Sequence, residues 1–123
     1  HNLEAFQNLR QALPKIFTCR KMILVLGILQ DKAAEQILTE IIPLADRLII
    51  TRPNSPRAAD PLYVKKIAGK LFNGQLLAIE DIPTALKTAY VLSSPGDLIL
   101  IAGSLYLISE VRSLFFQTGT TFN

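Results

Sequence analysis

The stretch Asp97-Leu-Ile-Leu-Ile-Ala-Gly-Ser104 decides the fold class, because an apolar run typical of a buried strand stops abruptly at Gly103-Ser104. An apolar-periodic segment follows at once, which predicts that the strand passes directly into a helix over about residues 104–116. The Ser104 hydroxyl would then lie beside the free amides of a helix N-terminus, which attracts carboxylate or phosphate groups. The junction therefore indicates either an anion site or a simple serine cap.

The same order of strand and helix recurs toward the start of the chain. Asp60 and Asp81 stand where N-caps are expected, each with proline within two residues, and Pro43 is expected to close a helix. The apolar runs predict strands at 21–28, 47–51, 75–79 and 97–103, and the periodic segments predict helices at about 3–16, 32–42, 61–70, 82–92 and 104–116. Because the strands are nearly continuous apolar runs, we expect an α/β fold: three layers, with helices flanking a mainly parallel sheet.

The composition predicts a single domain and excludes several function classes. Half of the 123 residues are apolar, enough for one core. The net charge of +3 comes from 13 basic and 10 acidic residues spread along the chain, which argues against nucleic acid as a partner. The lone Cys19 excludes an intrachain disulfide and fits a cytoplasmic protein. The longest apolar run is far shorter than the roughly 20 residues of a membrane-spanning helix, so no membrane partner is expected.

Several familiar catalytic motifs are absent from the sequence. It contains neither a Gly-x-x-x-x-Gly-Lys-Ser/Thr loop for a triphosphate nor a Gly-x-Gly-x-x-Gly loop for a dinucleotide. The only histidine is His1 and the only cysteine is Cys19, which do not make a zinc site. We therefore expect no metal ligands in this chain and no hydrolase triad.

Polar side chains follow the predicted strands at their carboxyl ends, which is where parallel sheets bind ligands. These residues are Asp31 and Lys32, Thr51 and Arg52, Glu80 and Asp81, and Ser104. Two classes of function fit this edge. It is either a substrate site, or the polar rim of a noncatalytic α/β ligand- or protein-binding module.

Four short segments favour the first class. They are His1-Asn2-x-x-Ala5, Gly27-x-x-x-Asp31-Lys32, Thr51-Arg-Pro-x-Ser-Pro-Arg57-Ala58 and Gly103-Ser-Leu-Tyr106. In this order they resemble motifs of the C-terminal domain of folylpolyglutamate synthases and dihydrofolate synthases, in the Mur ligase superfamily. The sequence departs from the family pattern at Leu3, where proline is usual, at Ala33, where a second aspartate is usual, and in lacking Asp-Gly-Ala before His1.

The resemblance implies a Rossmann-like domain over residues 1–123 that forms part of a larger two-domain enzyme. Such enzymes use ATP and Mg, bound mainly by an N-terminal ATPase domain, to phosphorylate a folate carboxylate. The amino group of glutamate then attacks the acyl phosphate. The fragment alone is expected to be inactive, because its catalytic partner is the N-terminal ATPase domain of the same chain.

The resemblance also implies site residues. His1, Ser104 and Tyr106 would bind the incoming glutamate, while Asp31, Lys32 and Arg57 would line the cleft between the two domains. Each has a simpler reading: His1 as a leftover of an affinity tag, Tyr106 as a packing residue, and the charged residues as solvated loop positions.

Overall fold

The computed structural model describes residues 21–30 and 34–103, together with Gln7 and Gln11, and these residues form a parallel sheet flanked by helices. A 3-10 turn, Ile42–Leu44, follows the first described helix. The strands and helices are, in chain order, β1 (Met22–Gly27), α1 (Ala34–Ile41), β2 (Arg47–Thr51), α2 (Pro61–Ala68), β3 (Gln75–Ile79), α3 (Ile82–Leu92) and β4 (Leu98–Gly103). The predicted α/β class is confirmed.

The strand order β3-β2-β1-β4 determines where the helices lie. The chain moves outward from β1 through β2 to β3, and then returns to place β4 on the other side of β1. Because crossovers between parallel strands are right-handed, a reversal of direction moves the connecting helix to the opposite face. Accordingly, α1 and α2 pack on one face and α3 packs on the other, which gives the three expected layers.

Alternate residues of the central strands supply the two halves of the core. Every residue of β1 is buried, as expected for a strand covered on both faces. Leu24 and Leu26 face α1 and α2, whereas Ile23 and Val25 face α3. The outer strand β3 is only partly buried from Leu76 onward, since it stands at one end of the described sheet and has one neighbouring strand there.

The helix boundaries follow the predicted caps closely. The Asp60 carboxylate accepts a hydrogen bond from the Leu62 amide at 3.0 Å, and α2 begins at Pro61. Pro43 lies inside the 3-10 turn, so the α-helix ends just before it while the chain keeps turning. The helix predicted to reach residue 70 instead ends at Ala68 and continues as a hydrogen-bonded turn.

Two predicted helices, over 3–16 and 104–116, fall outside the described residues. Within the first range, Gln7 and Gln11 are described, and both are helical and exposed. They stand four positions apart, the spacing of one helix face. None of the described helices is both long and apolar enough to span a bilayer.

The buried centre of β2 should dominate stability. Ile50 is fully buried against α1 and α2, so Ile50→Ala is expected to lower the free energy of unfolding by about 2–5 kcal/mol. Val91 on α3 is 70% exposed, so Val91→Ala should cost no more than about 0.5 kcal/mol. Urea denaturation of both variants measures the difference, and equal losses would contradict this arrangement of the core.

Candidate functional site

The carboxyl edge of the sheet contains a topological switch point between β1 and β4. These strands are in parallel register, with Gly27 paired to Gly103 at their common end. The chain leaves β1 toward β2 on one side, whereas β4 arrives on the other side after crossing from β3. Loops that depart in opposite directions open a crevice, and ligands of open α/β sheets bind there. On the predicted functional edge, the crevice is therefore expected beside Gly27 and Gly103.

Five of the six predicted site residues lie outside the described residues. They are His1, Asp31, Lys32, Ser104 and Tyr106. In the sequence, Asp31 follows Gly27 by one short loop and Ser104 follows Gly103 directly. Their roles and their grouping stay predictions, whereas the two strand ends that precede them are paired.

Arg57 is the predicted site residue that the structure describes, and its main chain is bound to the loop that follows β1. The Gln30 amide donates to the Arg57 carbonyl oxygen at 2.7 Å, and the Ala59 amide donates to the Ile28 carbonyl oxygen at 2.8 Å. The Gln30 side-chain amide adds a hydrogen bond to the Ala58 carbonyl oxygen at 3.2 Å. Because Gln30 immediately precedes Asp31, the structure brings two of the motif-bearing loops together.

The loop that carries Arg57 also has its own internal structure. The Ser55 hydroxyl accepts from the Arg57 amide at 3.1 Å, and the Ser55 carbonyl oxygen accepts from the Ala58 amide at 3.1 Å. Pro53 and Pro56 restrict the backbone on either side of Ser55. Arg57 is exposed at the end of this turn, so a structured loop presents it at the surface.

A charged cluster lies at the neighbouring strand ends. The Arg52 guanidinium contacts the Glu80 carboxylate, with Nε to Oε1 at 2.7 Å, and the Asp60 carboxylate, with Nη2 to Oδ1 at 3.6 Å. Arg52 follows β2, Glu80 follows β3, and Asp60 caps α2. The sequence predicts Arg52 and Glu80 at this edge but not their pairing, because no local pattern links residues so far apart in the chain.

Thr51, at the carboxyl end of β2, is the polar residue buried most deeply in the described part of the chain. It is 1% exposed, and its hydroxyl oxygen has no hydrogen-bond partner. An unpaired buried hydroxyl costs on the order of 1–3 kcal/mol. The sequence predicts Thr51 at the end of a strand but does not predict this burial.

Two surface hollows lie near the carboxyl ends of the strands. A groove of about 900 Å³ between α1 and α2 is lined by residues that include Gln30, Glu35, Asp60 and Tyr63. A smaller hollow of about 440 Å³ lies between the loop after β2 and the start of α3. Among the described residues, no group of three or more histidine, cysteine or carboxylate side chains is placed to hold a metal ion.

This chain is similar in sequence to a family of ligases. The sequence profile for "Mur ligase, glutamate ligase domain" matches residues 1–105. The dihydrofolate synthase/folylpolyglutamate synthase of Mycobacterium tuberculosis is 30% identical over 129 residues, covering 94% of this chain and 26% of that protein. UDP-N-acetylmuramyl-tripeptide synthetase 2 of Oceanobacillus iheyensis is 33% identical over 90 residues, covering 71% of this chain and 18% of that protein.

Solved structures agree with the sequence matches. The M. tuberculosis folylpolyglutamate synthase complexed with ADP and AMPPCP superimposes with a TM-score of 0.87 at 30% identity. The superposition covers 94% of this chain and 28% of that one. The chain thus spans about a quarter of the length of the relatives it matches.

One carboxylate at this edge has a shifted pKa. The Thr84 hydroxyl and then the Thr84 amide donate to Asp81, which lowers the pKa of the Asp81 carboxyl below its ordinary value of 3.8. A carboxyl whose pKa is lower in the folded state stabilises the fold above its unfolded pKa. This contribution is lost as the pH falls through the folded pKa.

Asp81→Asn keeps a capping side chain but removes the charge, so it isolates this effect. We expect the variant to melt below the wild type at pH 7. The difference between the two midpoints should shrink as the pH falls below about 5 and through the lowered pKa of Asp81, because wild-type Asp81 takes up its proton there. Thermal melts across this range measure it, and a difference that does not change with pH would contradict the assignment.

Proposed function

We propose a function for this chain on the premise that it belongs to the Mur ligase, glutamate ligase domain family. It is the C-terminal domain of an ATP-dependent ligase that joins glutamate to a folate carboxylate. In that reaction the carboxylate is activated as an acyl phosphate, the amino group of glutamate attacks the acyl carbon, and phosphate leaves. The role of this domain is to bind and orient glutamate against the activated carboxylate, which converts an encounter between molecules into a reaction within one complex.

The proximity of the motif-bearing segments at one edge carries the proposal. Gly27 and Gly103 are paired in register, so the segments that begin with them start from neighbouring points on one edge of the sheet. The hydrogen bond from Gln30 to Arg57 joins the segment that begins at Gly27 to the segment that begins at Thr51. A polar rim that only kept the sheet edge hydrated would not require these loops to be bound to one another.

The chemistry of the proposed residues suits an amino-acid substrate. His1, Ser104 and Tyr106 hold glutamate, since imidazole and hydroxyl groups donate hydrogen bonds to carboxylates. Asp31, Lys32 and Arg57 line the cleft. There a guanidinium binds a carboxylate in a bidentate manner, Lys32 steadies a phosphate or carboxylate, and Asp31 attracts the ammonium group or positions Lys32.

ATP and Mg are assigned mainly to an N-terminal ATPase domain of the same polypeptide. The described residues provide no metal cluster, and the sequence has no phosphate-binding loop. The similar M. tuberculosis structure is complexed with ADP and AMPPCP, which supports nucleotide use by the whole enzyme. In this proposal the other domain supplies the phosphoryl group, and closure of this domain over it excludes water from the acyl phosphate. We place the enzyme in the cytoplasm and assign it no nucleic-acid or membrane partner.

Ser104→Ala in the parent enzyme tests the glutamate site. We expect kcat/KM for glutamate to fall about 5- to 150-fold, which corresponds to roughly 1–3 kcal/mol for a charged partner left short of one hydrogen bond. Ser93→Ala is the matched control. The Ser93 hydroxyl donates to the Tyr90 carbonyl oxygen at the C-terminal end of α3, away from the carboxyl edge of the sheet. If both variants use glutamate as well as the wild type, Ser104 does not bind it.

The assignment of ATP to the N-terminal domain and of glutamate to this domain gives a second test. Residues 1–123 alone are expected neither to hydrolyse ATP nor to extend a folate, whereas the parent ligates glutamate to dihydropteroate, to tetrahydrofolate or to both. Product analysis with each acceptor measures this. Glutamate ligation by the isolated fragment would refute the assignment of ATP to another domain.

A further inference from the structure

We propose that Arg52 is a positioning residue that fixes the loop presenting Arg57 at the carboxyl edge of the sheet. Arg52 does not itself bind substrate. It determines where Arg57 stands relative to the loop that follows β1. The inference rests on the proposed function, in which Arg57 lines the amino-acid cleft, and it adds a residue to which that function assigned no role.

Arg52 joins three elements at one point. Its Nε donates to Glu80 Oε1 at 2.7 Å, which links the end of β2 to the end of β3. Its Nη2 lies 3.6 Å from Asp60 Oδ1, and the same oxygen accepts from the Leu62 amide at 3.0 Å. The guanidinium therefore ties both strand ends to the first turn of α2, a geometry that suits its rigid fork of donors.

These contacts close the loop that contains Arg57. Arg52 and Asp60 stand at its two ends, so their ion pair holds the ends together while residues 53–59 lie between them. Within the loop, the hydrogen bonds of Ser55 shape the turn, and Ala59 is bonded to Ile28. The hydrogen bonds of Ile28 and Gln30 hold the second half of this loop, and Arg52 anchors its first residue.

The charged cluster of Arg52, Asp60 and Glu80 is exposed, so we expect its loss to affect the loop more than the stability of the whole fold. The side chains of Arg52, Asp60 and Glu80 are 40%, 56% and 61% exposed. Ion pairs at such positions add little to the overall stability of a protein. Loss of Arg52 should therefore leave the fold intact and release mainly the loop, which a functional measurement can detect.

The chain contains a closely matched control. Arg47 donates from Nη1 to Gln75 Oε1, which links the start of β2 to the start of β3. Both arginines therefore bridge the same two strands at opposite ends, Arg47 to a neutral amide and Arg52 to carboxylates. A general weakening of the β2–β3 pair would affect both positions alike, whereas positioning of Arg57 involves only Arg52.

The test compares Arg52→Gln and Arg47→Gln in the full-length parent enzyme. For Arg52→Gln we expect the KM for glutamate to rise about 3- to 10-fold with little change in kcat at saturating glutamate, since the site is displaced but the chemistry is not. Hydrogen exchange of the Gln30 and Ala59 amides should also accelerate. Arg47→Gln should leave both measurements unchanged. Equal effects of the two variants, or none at Arg52, would overturn the inference.

A double variant separates positioning from simple charge. Asp60→Ser with Glu80→Ala removes two negative charges and keeps a capping side chain at the start of α2, but it leaves no carboxylate or amide oxygen at either position for Arg52 to contact. If the cluster acted only through its charge, loss of two carboxylates would lower the KM for an anionic amino acid. If it positions the loop, the KM rises as in Arg52→Gln. A lowered KM would contradict the proposal.

Arg57→Gln distinguishes failure of this inference from failure of the proposed function. If Arg57→Gln raises the KM for glutamate and Arg52→Gln does not, Arg57 acts without Arg52 and the positioning role is wrong. If Arg57→Gln leaves glutamate use unchanged, the assignment of Arg57 to the cleft fails. The exchange of the Gln30 and Ala59 amides then still decides whether Arg52 holds the loop.

Discussion

The parallel pairing of β1 with β2 on one side and β4 on the other is the constraint on which the rest of the structure depends. It makes β1 the buried centre of the sheet. It forces the chain to reverse direction after β3, and right-handed crossovers then distribute the helices over both faces. The same reversal defines the switch point at Gly27 and Gly103, so the packing of the core and the position of the proposed site have one cause.

The loops at that edge are joined to one another as well as to the sheet. Main-chain hydrogen bonds connect Gln30 with Arg57, and the Arg52 guanidinium connects the ends of β2 and β3 with the start of α2. Sites built from loops are precise only when their surroundings hold them, because an unsupported loop samples many conformations. The described part of the edge therefore resembles a preorganised binding surface.

The sequence predicted the elements of this domain well because each has a local signal. Continuous apolar runs defined β1 and β2, and Asp60 and Asp81 marked the starts of α2 and α3. The bridge between Leu29 and Ala58 and the contacts of Arg52 were not predictable, since they join residues distant in the chain and depend on the strand order. Of the site residues, only Arg57 is described; the others are assigned from short motifs whose geometry a local pattern does not reveal.

The strand order also has a consequence for how the chain is synthesised. Met22 pairs with Leu98, so a ribosome must add most of the domain before β1 gains its second neighbour. Until then, one edge of a wholly apolar strand has unpaired amides and carbonyls, the kind of surface that recruits other chains into aggregates. Nascent protein therefore exposes this strand edge while β4 is still inside the exit tunnel, and a chaperone bound there would protect it from aggregation.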